Sequence, residues 1–368
     1  MFELRLSEKM LLALLRSSLH QEKADTALFL NVSSDDWQAC YQLAVKHGVK
    51  ALAWEGVMTL PAALQPLKGL KVSWALSVES CESQYRRYCQ AVDKLSKFYA
   101  GHGIAMMQLK GVGYSQLYPV PSHREGGDID IYTYAASGSG LTDAEANALA
   151  DRLTQQSGIE VDTRHNVKHS EFYYKGIPVE NHKTFLNVER YDVASHVEKI
   201  LKHVMDPQVT ALEDGEVLTP SVAFNTIFIS FHALGHFPEM MTFHHLYDWA
   251  VLIKRYGLQL PEELKDPSLL EGIAAMTHLC NEWLGTSVLV ERGQERVEML
   301  KEHMLRPTYT YQVPVSGKMA ILVYKFKRMI YCYRLKSTFL HYPLWKCIWY
   351  SIVSHIKNPE TIFRRKVH

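Results

Sequence analysis

The sequence predicts an α+β protein in which a small mixed β-sheet core is flanked by N- and C-terminal helical regions. Residues 1–100 carry apolar residues at spacings of three and four, the period of an amphipathic helix. Residues 101–190 contain short apolar runs bounded by glycine and proline, as strands do. Helical periodicity returns from about residue 192. We therefore expect a helical N-terminal region (1–100), a core (101–190), a second helical region that closes a cleft over it (191–317) and a basic, aromatic helical tail (318–368).

The composition is that of a globular protein with a substantial core. The chain has 368 residues, of which 47% are hydrophobic and 21% are charged. No run approaches the roughly 18 apolar residues of a membrane-spanning helix, and residues 1–20 resemble an amphipathic helix more than a secretory signal. The six cysteines are scattered without a C-x-x-C pair. We therefore expect no disulfide framework and no structural zinc site, and a cytoplasmic location.

Charge is distributed unevenly along the chain. The net charge is +1, but residues 318–368 hold eleven lysines and arginines and a single acid, Glu360. Residues 1–317 therefore carry a net charge of −9. The tail is expected either to meet an anionic partner or to fold back on the acidic body.

The N-terminal region is predicted to contain two long helical stretches. "DDWQACYQLAVKHGVKALAWEGV" (35–57) has helical spacing, and Ser34 or Asp35 could cap its start. Residues 73–100 form the second periodic stretch, which ends at the glycines 101 and 103.

The core is predicted from four further segments. "IAMMQL" (104–109) and "DIDIYTY" (128–134) are strand candidates, and "KGVGYSQLY" (110–118) is a turn that leads into a short helix. Thr142 and Glu145 form a capping-box pattern that opens a helix to about residue 156. The pattern of residues 170–185, two β-rich runs around Lys175 and Gly176, predicts a hairpin.

Two carboxylates lie one residue apart in the second strand. Side chains at i and i+2 of a strand point to the same face, so Asp128 and Asp130 would project together, about 7 Å apart at the backbone. This spacing allows two carboxylates to converge on one or two divalent cations, and Mg²⁺ prefers such oxygen ligands. The alternative is a solvent-facing edge strand in which the acids have no role.

The sequence around these acids adds a second signal. Upstream, a strand is followed by Leu109, Lys110 and Gly111, and a glycine at a strand-to-helix turn lets backbone N–H groups approach a phosphate. "LKGVGYSQLYPVPSHREGGDIDIY" resembles the bacterial family of uncharacterised nucleotidyltransferases, within the DNA polymerase β-type superfamily. The resemblance is dense across 104–134 and looser across 40–260. It implies a nucleotidyltransferase-type core.

The resemblance implies an activity and a set of site residues. The activity is transfer of a nucleoside monophosphate from an NTP to an acceptor hydroxyl, with release of pyrophosphate and with Mg²⁺ or Mn²⁺ as cofactor. Asp128 and Asp130 would be catalytic metal ligands. A third acid, the catalytic base or an additional metal ligand, is implied in a Val-Glu-x-His segment, which makes Glu180 the choice and leaves Glu171 and Asp162 as competitors.

The nucleotide-binding residues are also taken from the resemblance. Lys110 and Gly111 would bind the triphosphate, since the turn lacks the serine that the broader superfamily uses. Arg124 would either contact a phosphate or brace the loop before Asp128, and an ordinary surface arginine is the alternative. The acceptor, which could be a small molecule, a protein or an RNA, is not identified.

Three further features have open interpretations. His232 and His236 are spaced i, i+4, but no H-E-x-x-H glutamate accompanies them, so packing or cleft roles are favoured over zinc. Asp248, within an apolar helical stretch, is expected to form a buried pair or to hold substrate. The tail could pack on the core, bind nucleic acid or lie on an anionic membrane.

Two other functions remain as alternatives. One is a catalytically silent nucleotide-binding regulatory protein on the same scaffold. The other is a nucleic-acid-binding module that uses the basic tail.

Overall fold

In the described residues four α-helices precede the first strand, and the single helical stretch predicted over 35–57 is divided into two of them at residues 47–49. The computed structural model describes residues 2–163, 167–188, 192–309, 313–341, 343–357 and 362–363. The helices are α1 (Leu6–His20), α2 (Ser34–Lys46), α3 (Lys50–Thr59) and α4 (Lys68–Ala100). Helix α2 is capped one residue earlier than expected, by the Ser33 side chain, which accepts a hydrogen bond from Asp36 N–H.

Helices α1 and α3 cross at close range because of one glycine. A Cβ atom at Gly56 would lie 2.5 Å from the Leu14 carbonyl oxygen and 2.6 Å from its Cα. No side chain fits in this space, so the glycine permits the backbone contact on which the N-terminal bundle is built.

The described part of the chain contains one mixed sheet of seven strands. The strands are β1 (Ile104–Gln108), β2 (Ile129–Ala135), β3 (Val161–Asp162), β4 (His169–Tyr174), β5 (Ile177–His182), β6 (Gln208–Leu212) and β7 (Gly215–Thr219). Their order in the sheet is β3-β4-β5-β2-β1-β7-β6. Strand β1 pairs antiparallel with β2 and parallel with β7, while β2 pairs parallel with β5. Helix α5 (Gly111–Tyr114) follows β1, and α6 (Asp143–Gln156) follows β2.

The predicted local signals of the core are present. Thr142 and Glu145 make a reciprocal capping box at the start of α6. The β4–β5 hairpin turns at Lys175 and Gly176, whose φ angles of 52° and 78° match the two-residue turn that suits the twist of a hairpin.

The region after the core contains a hairpin that the sequence analysis did not anticipate. Residues 191–317 were expected to be helical, but β6 and β7 lie within them and extend the sheet beyond β1. The remaining elements are α7 (Ala194–His203), α8 (Val222–His236), α9 (Phe243–Tyr256), α10 (Pro267–Leu284), α11 (Val297–Leu305), α12 (Lys318–Leu340) and α13 (Leu344–Lys357).

The two faces of the central strands belong to different apolar clusters. Ile129 and Ile131 of β2 are fully buried in a cluster with α4 and α6. Tyr132 lies on the opposite face, in the larger cluster with the N-terminal helices and α8–α10. Asp130 shares this second face by alternation, so it points toward the helical regions. The predicted fold class, a mixed sheet core flanked by helices, is confirmed.

No helix in the described part of the chain has the length and apolar character needed to cross a membrane.

Candidate active site

Three carboxylates meet where β2 and β5 run side by side. The parallel register places Asp130 directly beside Glu180. Ligand oxygens of Asp128, Asp130 and Glu180 all lie within 4.8 Å of one another. The structure therefore brings together the three acids that the sequence analysis selected, although Glu180 comes from a strand far along the chain.

Asp128 lies immediately before β2, on a glycine loop that α4 holds in place. Gln84 Nε2 donates a hydrogen bond to the Gly126 carbonyl at 2.9 Å, and the Tyr88 hydroxyl donates to the Gly127 carbonyl at 3.0 Å. Two side chains of α4 therefore hold the backbone carbonyls of the two residues before Asp128. Helix α4, which is not part of the sheet, thus helps to fix the position of Asp128.

Asp130 is buried, and both of its carboxylate oxygens have polar partners. Lys110 Nζ lies 2.9 Å from Oδ2, and His182 Nε2 lies 2.9 Å from Oδ1. Burial by itself raises the pKa of Asp130, but the Lys110 charge and the His182 hydrogen bond hold it well below its usual range. Asp130 is therefore ionised.

The same surroundings shift the pKa values of the other two acids in opposite directions. Burial, and then the negative charge of Asp130, raise the pKa of Asp128. For Glu180 burial also acts to raise the pKa, but the hydrogen bond from His182 and the electrostatic effects of His169 and His182 together outweigh it, and the pKa is lowered. The excess negative charge at Asp128 is a local cost that a bound cation would relieve.

The competitors of Glu180 lie outside the group formed by Asp128, Asp130 and Glu180, hereafter the acid group. Glu171 pairs with Glu180 across the β4–β5 hairpin, but its side chain is 54% exposed and contacts His169 Nε2 at 3.0 Å. Asp162 is one strand further out, opposite Glu171. His169 Nδ1 lies 3.0 Å from a Glu180 oxygen and so helps to orient that carboxylate.

The turn after β1 requires a glycine for structural reasons. Gly111 has φ of +73°, and a Cβ there would lie 2.3 Å from the side-chain nitrogen of the buried Gln108. Gln108 Oε1 accepts a hydrogen bond from Gly113 N–H at 2.8 Å, which fixes the start of α5. Any side chain at Gly111 is therefore strained, whether or not a phosphate approaches the turn.

Arg124 forms a buried ion pair with Asp248 of α9. Its Nε and Nη2 donate to the two Asp248 oxygens, each at 2.8 Å, in bidentate geometry. The Tyr118 hydroxyl donates to the same carboxylate, and the Tyr114 hydroxyl donates to the Asp248 carbonyl at 2.7 Å. Of the two roles considered for Arg124, this geometry favours bracing of the loop before Asp128. It also places Asp248 in a buried pair, one of the two roles expected of it.

Three histidines of α8 and α9 form a second group beside Lys110. Ring nitrogens of His232, His236 and His245 lie within 4.8 Å of one another, and Lys110 Nζ lies 3.1 Å from His232 Nε2. His236 Nε2 lies 3.2 Å from His232 Nε2. Such a trio could ligate zinc, but the Lys110 ammonium disfavours a cation there, and His245 Nδ1 already contacts the Thr242 N–H and hydroxyl.

The neighbourhood of the histidines is positively charged. Burial, followed by the charges of Lys110, Lys336 and Lys168, lowers the pKa of His236 to about 4. Lys336 belongs to α12, is only 8% exposed, and forms no ion pair with the carboxylates of the described residues. The group formed by Lys110, Lys168, Lys336 and the three histidines is hereafter the basic cluster. Its charge suits an anion better than a metal ion.

Several of these residues were not selected from the sequence. In the sequence, His182 is marked only as the histidine of the Val-Glu-x-His segment, two residues after Glu180. His245 and Lys336 are remote in sequence from the acids, and no local pattern marks them. Their proximity arises from the packing of α8, α9 and α12.

The acid group has the properties of a site for a hard divalent cation. It offers carboxylate oxygens from three side chains on two adjacent strands, and each carboxylate has about four lone-pair positions. Lys110 and His182 therefore leave acceptor capacity on Asp130. These observations fit Mg²⁺ or Mn²⁺.

Comparison with known proteins gives one match. A family model described as "Uncharacterised nucleotidyltransferase" matches residues 33–285, which span α2 to the end of α10 and include the acid group. Neither the curated proteins nor the solved structures include a match to the chain.

Proposed function

Because the chain belongs to the family of uncharacterised nucleotidyltransferases, we propose that it transfers a nucleoside monophosphate from an NTP to an acceptor hydroxyl. The observation that carries this proposal is the convergence of Asp128, Asp130 and Glu180 at the β2–β5 junction. Membership of the polymerase β-type superfamily and dependence on Mg²⁺ or Mn²⁺ are parts of the same proposal.

The three acids would hold the divalent cation. A cation held there would supply positive charge that offsets the charge of the nucleotide phosphates and would lower the pKa of the acceptor hydroxyl. Asp130, ionised and fixed by Lys110 and His182, is the ligand with the most rigid surroundings. Asp128, whose pKa is raised by burial and by the charge of Asp130, supplies a second carboxylate, and a positive charge nearby would favour its ionised form.

The transfer step needs one proton acceptor. The acceptor oxygen bonds to the α-phosphorus while the bond from that phosphorus to the bridging oxygen breaks, and pyrophosphate leaves. Glu180, with a lowered pKa and a half-buried carboxylate, takes the proton of the acceptor hydroxyl.

The β- and γ-phosphates would lie against the basic cluster. Lys110 contacts both Asp130 and His232, so it stands between the acid group and the histidines. An anionic polyphosphate there would offset the positive charge of Lys110, Lys168 and Lys336. Lys110 was expected to bind the triphosphate, and this placement supports that role.

The test is pyrophosphate release from each NTP with Mg²⁺ or Mn²⁺, measured against a panel of small-molecule, protein and RNA acceptors. We expect the Asp128→Asn/Asp130→Asn protein to lose metal-dependent NTP binding and pyrophosphate release while keeping its fold. The matched control is Glu262→Gln/Glu263→Gln, which removes an exposed acid pair far along the chain and should leave both unchanged. Normal metal–NTP binding by the double asparagine variant would contradict the assignment of the ligands.

One observation favours a second candidate, a nucleotide-binding protein without transfer chemistry. Each Asp130 oxygen already has one partner, Lys110 on Oδ2 and His182 on Oδ1. If these two contacts persist and the cation does not share the oxygens with them, a metal–nucleotide would bind without turnover. Metal-dependent NTP binding without pyrophosphate release against any acceptor would support this alternative.

A further inference from the structure

The last helix carries an apolar stripe on its outer surface. Besides Leu344 at its start, five large apolar side chains among the described ones of α13 are exposed, with exposed fractions from 37% for Ile348 to 72% for Ile356. Their spacing of three and four residues places them on one face of the helix. They are Trp345, Ile348, Trp349, Ile352 and Ile356. A helix that only packs on its own protein would turn such a stripe inward.

Helix α12 shows the same arrangement in its first half. Met319, Leu322, Val323 and Phe326 are exposed and share one face by their spacing.

The opposite face of α12 is attached to the body of the protein. Arg328 forms an ion pair with Glu239, and Phe339 contacts Phe237 with ring centroids 5.5 Å apart. Lys346 of α13 pairs with Asp192 at 2.6 Å. The exposed apolar stripes therefore lie on helices that already contact the body of the protein through other side chains.

The charge of these helices is of one sign. Residues 318–357 contain eight lysines and arginines and no aspartate or glutamate. Lys327 and Arg334 are exposed on α12. Residues 1–317 carry a net charge of −9, so a negatively charged surface would attract the C-terminal helices and repel the rest of the molecule.

We propose that the outer face of α12 and α13 is a docking surface for an anionic lipid bilayer, on which the protein lies without spanning it. An interfacial helix combines an apolar stripe, tryptophan at the headgroup level and basic residues that meet anionic lipid. All three features occur here, and no helix of the described residues could cross the bilayer.

Two other occupants fit the surface less well. Single-stranded nucleic acid is held by aromatic stacking, whereas most of the exposed stripe is aliphatic: Met319, Leu322, Val323, Ile348, Ile352 and Ile356. A second copy of the chain would bring together two surfaces that both lack acids, and their like charges would repel.

The experiment is co-sedimentation of the full chain with sucrose-loaded vesicles of phosphatidylcholine alone or of phosphatidylcholine and phosphatidylglycerol in equal amounts. We expect binding to the mixed vesicles that weakens with added salt. Trp345→Ser/Trp349→Ser should lower the partition coefficient by about tenfold or more, because two interfacial anchors are lost. Lys327→Glu/Arg334→Glu should weaken binding to the mixed vesicles only.

The matched control is Val72→Ser/Leu76→Ser, an exposed i, i+4 apolar pair on α4. It should bind vesicles as the unchanged protein does, and circular dichroism should show all variants folded. Equal vesicle binding by the tryptophan double variant and the unchanged protein would overturn the proposal. Three other results would also overturn the proposal. They are a protein that binds no vesicles, a protein that binds RNA instead of vesicles, and a dimer that the tryptophan substitutions convert to a monomer.

Discussion

At the scale of single residues, Asp130 connects the two halves of the candidate site. One of its oxygens faces Lys110 and the other faces His182. Lys110 in turn reaches His232, so the acid group and the basic cluster share one ammonium group. Burial acts to lower the pKa of Lys110, but the charges of Asp130 and Asp128 raise it above its usual value, which keeps the ammonium charged. A buried carboxylate is thereby kept ionised.

Glu180→Gln tests the assigned proton acceptor. We expect kcat to fall by roughly 10²–10⁴-fold, since the variant cannot accept a proton, while NTP binding and thermal stability stay close to those of the unchanged protein. The measurement is steady-state pyrophosphate release beside a calorimetric binding titration. Glu171→Gln, the exposed cross-strand neighbour, is the control and should retain activity. Equal turnover by the two variants would remove Glu180 from the reaction.

At the scale of elements, the Arg124–Asp248 pair joins the loop before Asp128 to α9. The pair is buried, bidentate and surrounded by Tyr114 and Tyr118. Burial acts to raise the pKa of Asp248, but the charge of Arg124, the nearby His244 and the hydrogen bonds from Arg124 and Tyr118 together outweigh it and hold the pKa well below its usual range. The pair therefore fixes α9, and with it His245, relative to the loop before Asp128.

Asp248→Asn leaves the Arg124 guanidinium buried without its counter-charge. We expect the free energy of unfolding to fall by about 3–5 kcal/mol, as when one partner of a buried pair is removed. The control is Asp192→Asn, which breaks the exposed pair with Lys346 and should cost about 0–1 kcal/mol. Denaturant unfolding gives both free energies. Similar losses of unfolding free energy in the two variants would show that the buried pair stabilises the fold no more than the exposed pair does.

The same pair predicts a direction of acid sensitivity. The folded pKa of Asp248 is lower than that of an aspartate in an unfolded chain, about 3.9. Its stabilisation is therefore complete above that pH and is lost as the pH falls toward the folded value. Asp248→Asn should make the stability less dependent on pH below about 4.

At the scale of the whole molecule, α12 contributes to both a predicted site and a predicted surface. Its inner face brings Lys336 to the basic cluster, outside the residues that the family model matches. Its outer face presents the apolar stripe. If both proposals hold, the C-terminal helices place polyphosphate binding next to the bilayer surface.

Lys336→Met separates a binding role from a structural one. We expect affinity for inorganic pyrophosphate to fall by about tenfold, the loss of one charge-assisted contact worth about 1.5 kcal/mol. The apo protein should melt at the same or a higher temperature, because a buried charge without a carboxylate partner among the described residues is removed. Lys327→Met, exposed on the same helix, is the control. A lower melting temperature with unchanged pyrophosphate affinity would assign Lys336 a purely structural role.

Local patterns in the sequence determined much of the fold and part of the site. Alternation in β2 placed Ile129 and Ile131 opposite Asp130, and the capping box predicted the start of α6. The Lys175–Gly176 pair predicted the turn of the β4–β5 hairpin. These features succeed because the signal and the structure it predicts lie within a few residues of each other.

The arrangement of the site was decided by tertiary structure. The parallel register that sets Glu180 beside Asp130, the Arg124–Asp248 pair and the approach of Lys336 to the histidines all join distant segments. The β6–β7 hairpin, in a region that reads as helical, exists through its pairing with β1. Side-chain packing and strand pairing set such contacts, and strand propensity depends on the neighbouring strand as much as on the residues themselves. The sequence by itself therefore determined which residues could do the chemistry, and only the packed sheet and helices determined which of them meet.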